Sequence, residues 1–87
     1  MKFSFSSTFI SSLEKISPKD QKRIIKKLNW FSGQKDIFVF TSPLKNNKKL
    51  ATHRLRIGDY RVLIYHSSET NTIRIMDVGH RKNIYQN

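Results

Sequence analysis

The chain lacks cysteine altogether and is poor in acidic residues, proline and glycine, with six Asp and Glu, two Pro and three Gly among 87 residues. Without cysteine it can form neither a disulfide framework nor a thiolate metal site, and this fits a reducing cytoplasm. The longest apolar run, residues 37–40, is far too short for a transmembrane span. The serine-rich start of the chain shows no secretory signal. We therefore expect a cytoplasmic protein.

Positive charge dominates what remains. Seventeen Lys and Arg oppose the six acidic residues, which gives a net charge of +11 and an isoelectric point near 10.4. A small domain this basic is typical of proteins with an anionic partner, whether nucleic acid, an anionic membrane surface or an acidic protein. We expect nucleic acid and no membrane partner. The length and the 37% of hydrophobic residues predict one domain over residues 1–87.

Two amphipathic helices are predicted after a short strand at residues 2–5. Hydroxyl side chains at residues 6–8 can cap a first helix over residues 7–16. Ser17 and Pro18 begin a second helix that reaches about residue 31, because apolar residues recur at helical spacing and Gly33 follows. Its lysine-rich side is interpreted as a solvated surface, with a membrane-surface helix as the alternative. The short link predicts an antiparallel helical hairpin.

The second half predicts three antiparallel strands, near residues 54–57, 60–66 and 72–78. Residues 37–40 are interpreted as a buried strand or as an apolar anchor in a loop, and Thr41-Ser42-Pro43 is expected to break any regular element. A strand, two helices and three antiparallel strands together indicate an α+β fold. In it the helical hairpin covers one face of a small sheet.

An arginine-rich hairpin stands out within those strands. Arg54 and Arg56 alternate with apolar residues, so in a strand both point to one face. Gly58 and Asp59 are typical turn residues, and Arg61 lies just beyond them. The three arginines can converge on one side of the sheet. Planar guanidinium groups in such a cluster suit phosphate.

The sequence Arg-Leu-Arg-Ile-Gly-Asp-Tyr-Arg-Val at residues 54–62 is similar to the hairpin motif of the RelE/ParE superfamily of bacterial toxin–antitoxin toxins. Val-Gly-His-Arg at residues 78–81, with Tyr85 four residues after Arg81, is similar to the closing motif of the RelE branch. The order of elements resembles that family over nearly the whole chain. The resemblance implies an α+β fold of the RelE/ParE type.

The resemblance also implies a function. RelE-like toxins are endoribonucleases that cleave mRNA in the ribosomal A site without a metal or other cofactor, and a small acidic antitoxin silences them. The implied active-site residues are Arg61, Arg81 and Tyr85. The resemblance also implies roles for Arg54 and Arg56, which we expect to contact RNA and phosphate. We further expect such contacts from His80 and from Lys48 and Lys49 in the basic loop before the arginine strand.

Metal-free RNA cleavage requires a base for the 2′-hydroxyl, positive charge for the phosphorane and an acid for the leaving oxygen. We assign Arg61 and Arg81 to the scissile phosphate, and Arg54 and Arg56 to neighbouring phosphates or ribosomal RNA. Tyr85 is the candidate base, or else stacks on a nucleobase. His80 is a candidate for acid–base work, although a structural histidine has the same pattern.

Three further interpretations remain open. A ParE-like inhibitor of DNA gyrase would share the fold without nuclease chemistry. A non-catalytic nucleic-acid-binding module would share the charge. An inactivated toxin would keep the fold alone.

Overall fold

A computed structural model describes residues 2–45, 47 and 50–84 of the chain. Three residues assigned to the RNA site from the sequence, Lys48, Lys49 and Tyr85, lie outside these described residues. Among the described residues, no helix combines the length and the apolar character needed to cross a membrane.

Both predicted helices are present, with small differences at their ends. Helix α1 covers Ser7–Glu14 and is capped by Ser6, whose hydroxyl accepts a hydrogen bond from the Phe9 backbone N–H at 3.0 Å. It ends two residues earlier than the sequence predicted. Helix α2 covers Pro18–Ser32, with Ser17 as its N-cap and Gly33 as its C-cap. Serine caps and a first-position proline thus set the helix starts.

Five strands form one sheet in the order β1-β5-β4-β3-β2. Strand β1 is parallel to β5, and the other neighbours are antiparallel. This is the predicted α+β architecture with one additional strand. The strands are β1 (Lys2–Phe5), β2 (Thr41–Pro43), β3 (His53–Ile57), β4 (Tyr60–Ser67) and β5 (Thr72–His80).

The prediction that Thr41-Ser42-Pro43 breaks regular structure was wrong, because these residues form β2. They pair with β3 at the edge of the sheet, where a proline is tolerated since its missing N–H faces no partner strand. The preceding residues, Ile37–Phe40, form a short 3₁₀ helix that buries Ile37 and leaves Phe40 at the surface. Neither a strand nor a plain loop describes them.

The two faces of the sheet have different roles. The helices and the 3₁₀ turn cover one face and enclose the main core. A smaller cluster on the other face is formed by Ala51, Leu63 and Ile84, with Leu44 and Met76 packed against it. The main core contains Phe9, Ile24, Leu28, Phe31, Ile37, Leu55, Ile57, Val62, Ile64, Ile73, Ile75 and Val78.

Candidate active site

Three arginines meet on the face of the sheet opposite the helices. Arg54 and Arg56 project from β3, where they alternate with the buried residues Leu55 and Ile57. Arg61 projects from the start of β4. Together with Phe40 and Ser42 they line a polar depression of about 250 Å³. The structure therefore brings together the three arginines whose convergence the sequence predicted.

The turn between β3 and β4 fixes the direction of Arg61. Gly58 has φ +59°, the left-handed region that glycine adopts without strain. Its carbonyl oxygen accepts a hydrogen bond from Arg61 Nη1 at 3.1 Å, and the Tyr60 carbonyl oxygen accepts a second at 3.0 Å. A guanidinium carries five N–H donors, so donors on Nε and Nη2 remain to meet an anion.

Arg56 and Arg61 are direct cross-strand partners. Like charges placed opposite each other in a sheet destabilise it. The residues that line the depression include three arginines and no carboxylate. A bound anion would remove the repulsion and accept hydrogen bonds from both guanidinium groups. The local electrostatics thus favour an anionic ligand.

The size of the depression limits what the anion can be. Pockets that enclose small molecules are usually between about 300 and 1,000 Å³. At about 250 Å³ this one is smaller, and its lining is mostly polar. It fits a phosphate group that belongs to a longer molecule better than it fits a whole enclosed ligand.

Arg81 lies next to the arginine hairpin, but its side chain is not among the residues that line the depression. Gly79 is the cross-strand partner of Arg61, and Arg81 follows two residues later. Its backbone N–H donates to the Asp59 carbonyl oxygen at 2.8 Å, which joins the end of β5 to the hairpin turn. Its side chain is exposed. The assignment of Arg81 to the scissile phosphate stays a prediction.

His80 projects from the other side of the sheet. It pairs with Tyr60, and the two rings meet edge to face with their centroids 5.9 Å apart. Tyr60 packs against the main core, and its hydroxyl donates to Asp20 of α2 at 2.9 Å. The structure therefore does not bring His80 to the three arginines. Its predicted phosphate contact is left without support from this geometry.

Tyr60 is not suited to act as a general base. Its hydrogen bond to Asp20, and secondarily its burial, raise the pKa of the phenol above its usual value of 10.0. The proton therefore stays on this hydroxyl at neutral pH. Among the described residues, no group of three or more His, Asp and Glu side chains is arranged to hold a metal ion.

Phe40 and Ser42 belong to the site, yet the sequence did not indicate them. Both reach it because the 3₁₀ turn leads directly into the edge strand β2. Ser42 is the cross-strand partner of Arg54. The only sequence signal for Phe40 was the apolar run at residues 37–40. In the structure, Phe40, the last residue of this run, is half-exposed and not part of the buried core.

Neither the protein-family models nor the curated proteins give a match to this chain. Solved structures do. The RelBE2 toxin–antitoxin complex from Mycobacterium tuberculosis is similar at 22% identity, over 92% of this chain and 96% of that one, with a TM-score of 0.73. The RelE–RelB complex from Pyrococcus horikoshii is similar at 18% identity, over 94% and 96%, with a TM-score of 0.70.

A third similar structure is the RelB–RelE antitoxin–toxin complex from Methanococcus jannaschii, at 26% identity over 94% of each chain and a TM-score of 0.63. The similarity in all three cases covers nearly the full length of both chains. It includes the helical hairpin that the sequence predicted and the sheet, which has one strand more than the sequence predicted. The chain therefore has the fold of the RelE toxins.

Proposed function

We propose that this chain is the toxin of a type II toxin–antitoxin system and a ribosome-dependent endoribonuclease. It cleaves mRNA in the ribosomal A site without a metal ion and so inhibits translation. The observation that carries this proposal is the depression lined by Arg54, Arg56 and Arg61 on a RelE fold. The similar structures, all toxin–antitoxin complexes, support the toxin role.

The reaction is a transesterification at phosphorus. The 2′-hydroxyl of the upstream ribose gives up its proton to a base, and its oxygen attacks the adjacent phosphate. The bond to the 5′-oxygen breaks and that oxygen takes up a proton, which leaves a cyclic phosphate and a free 5′-hydroxyl. Negative charge builds up on the non-bridging oxygens during attack. Fixed guanidinium groups stabilise that charge without further reorganisation. Arginine suits this role because it stays protonated and can hold two oxygens at once.

The hydrogen bonds of Arg61 support a position for it at the centre of the site. Because the Gly58 and Tyr60 carbonyls hold its Nη1 group, the guanidinium is preorganised before RNA arrives. Arg56, directly opposite, shares the same phosphate or holds the next one, and Arg54 extends the contact along β3. Arg81 is also proposed to lie beside the scissile phosphate, because its backbone N–H donates a hydrogen bond to the Asp59 carbonyl oxygen in the same turn.

The proton-transfer groups are assigned from the family resemblance. Tyr85 is the proposed base or base-orienting group, since positive charge beside a phenol favours the phenolate. Lys48 and Lys49 are proposed to contact the RNA backbone. These three residues lie outside the described part of the chain.

A cognate acidic antitoxin is the proposed protein partner. The net charge of +11 makes an acidic partner electrostatically complementary. The similar structures were solved with an antitoxin, which supports the same kind of assembly here. The second proposed partner is mRNA held on the ribosome.

The proposal is tested by adding the purified protein to a reconstituted translation reaction and measuring reporter synthesis. The wild type should stop synthesis, and Arg61→Ala should lower the inhibition rate by about 100-fold or more, as for loss of a donor to a transition-state oxyanion. Arg74→Ala is the matched control, because Arg74 is an exposed arginine whose Nη1 group donates to Ser4 at the opposite edge of the sheet. It should inhibit like the wild type.

Two results would overturn the proposal. Unaffected translation together with inhibition of gyrase supercoiling would identify a ParE-like gyrase inhibitor. Binding to RNA with neither activity would identify a non-catalytic module.

A further inference from the structure

A second basic depression of about 460 Å³ lies between α2 and the arginine hairpin. Four of its lining residues are positively charged, and none of the residues that line it is acidic. Part of the lysine-rich side of α2 therefore lines this depression and is not simply a solvated surface. We call this depression the aromatic groove, and the residues that matter here are Arg23, Lys26, Lys27, Trp30, Arg56 and Gly58.

The aromatic groove adjoins the three-arginine depression. Arg56 lines both of them. Phe40 of the first depression touches Trp30 of the second, with ring centroids 5.4 Å apart at 69°. Strand β2 stops pairing with β3 at Leu55, so it does not cover the edge of the sheet beside Arg56. A bound chain can therefore pass from one depression to the other around this edge.

Two half-exposed aromatic rings mark the junction. Trp30 is 47% exposed and Phe40 is 43% exposed. Both rings contact the buried ring of Phe31, at centroid distances of 5.1 and 5.3 Å, which holds them in place. The ammonium group of Lys27 lies 4.7 Å from the centre of the Trp30 ring. Rigid aromatic faces among cations are the surfaces on which single-stranded nucleic acids stack their bases.

Arg23 connects the groove to the hairpin turn. A Cβ atom at Gly58 would overlap the guanidinium group of Arg23, so this group lies directly against the turn backbone. The carbonyl oxygen of the same Gly58 accepts the hydrogen bond of Arg61. Positive charge therefore continues from the three arginines, past the turn, to α2.

We propose that single-stranded RNA extends from the three-arginine depression into the aromatic groove, with bases stacked on Trp30 and Phe40 and its phosphates beside Arg23, Lys26 and Lys27. This inference rests on the proposed function, because the RNA enters the groove from the site of cleavage. Single-stranded RNA supplies phosphates for the cations and flat bases for the rings. An acidic peptide would match the charge but not the rings.

The test uses the single tryptophan of the chain as its reporter. Trp30 fluorescence is measured while the full-length protein is titrated, at low salt, with a 2′-O-methyl RNA oligonucleotide, which has no attacking hydroxyl. We expect saturable quenching. An abasic oligonucleotide with the same number of phosphates should bind without comparable quenching. Equal quenching by the abasic chain, or no quenching by the RNA, would overturn the proposal.

A matched pair of variants locates the stacking. Phe40→Leu should weaken binding of the 2′-O-methyl RNA by about 5- to 150-fold, which is the usual range for loss of one base–aromatic stack. Phe5→Leu is the control, because Phe5 is 44% exposed and stacks on Phe9 at the other edge of the sheet. It should bind like the wild type. Equal binding by both variants would contradict the proposal, and the abasic comparison decides the matter if Phe40→Leu does not fold.

Two further readouts separate the competing explanations. Polyglutamate that quenches Trp30 as strongly as RNA does would show that the groove binds an acidic protein, and the proposal would fail. Cleavage of mRNA on the ribosome is measured separately for the wild type. Cleavage without base-dependent quenching would reject the groove and leave the proposed function standing, whereas absence of cleavage would reject the proposed function itself.

Discussion

Replacing Arg56 by threonine should stabilise the fold while it weakens the proposed RNA cleavage. Arg56 and Arg61 face each other directly across β3 and β4. Without a bound anion their charges repel, and threonine removes the repulsion while keeping a residue that favours strands. Arg56 is exposed, so the substitution leaves no buried cavity.

The size of the effect follows from this geometry. A cross-strand charge pair changes stability by about 0.2–1 kcal/mol. For a domain of this length each kcal/mol shifts the melting temperature by about 4–8 °C. We therefore expect Arg56→Thr to raise the melting temperature by about 1–8 °C at low salt. The gain should shrink near 1 M salt, where the screening length is about 3 Å.

The assay is thermal unfolding followed by circular dichroism at low and high salt, with Arg74→Thr as the control. Arg74 faces Tyr65 and not another cation across the sheet, so the control should gain no salt-dependent stability. Added inorganic phosphate should raise the melting temperature of the wild type more than that of Arg56→Thr. A melting temperature for Arg56→Thr below that of Arg74→Thr at low salt would refute the reasoning.

Two further predictions concern stability. Ser6→Ala removes the cap of α1 and also the 2.7 Å hydrogen bond from the Ser6 hydroxyl to the Met76 carbonyl oxygen. Urea unfolding should therefore show that the free energy of unfolding falls by about 1–3 kcal/mol. A decrease near zero would contradict the capping role. Burial, and secondarily the nearby His66, lower the pKa of His53 below 6.5. Between this lowered pKa and 6.5 the unfolded chain binds more protons than the folded one, so the free energy of unfolding should fall as the pH decreases through that interval. Urea unfolding should show a smaller decrease for His53→Gln, and an equal decrease would assign the effect to other groups.

The elements that the sequence predicted are those with local signals. Ser17 and Pro18 begin α2 through capping and backbone preference, and Gly58 sets the hairpin turn. Strand β2 has no such signal. Its residues lack apolar alternation, and they become a strand only because Ser42 and its neighbours pair with β3. Pairing between distant segments is not encoded in local periodicity.

The residues of the candidate site also fall into two groups: those that local sequence predicted and those that depend on tertiary packing. Alternation along β3 was enough to place Arg54 and Arg56 on one face, and the turn brought Arg61 to them. The position of Phe40 depends on a 3₁₀ turn, and the aromatic groove depends on how α2 packs against the hairpin. These are tertiary features. For that reason the sequence indicated only a solvated lysine surface where the structure has a groove.

The most direct test of the central claim is primer extension on a defined mRNA in a reconstituted translation system, with wild type and Arg61→Ala side by side. We expect discrete breaks inside A-site codons for the wild type, none in the absence of ribosomes and none with Arg61→Ala. An intact message with the wild type, or the same breaks with Arg61→Ala, would contradict the claim that Arg61, in the three-arginine depression, acts at the scissile phosphate of a ribosome-dependent ribonuclease.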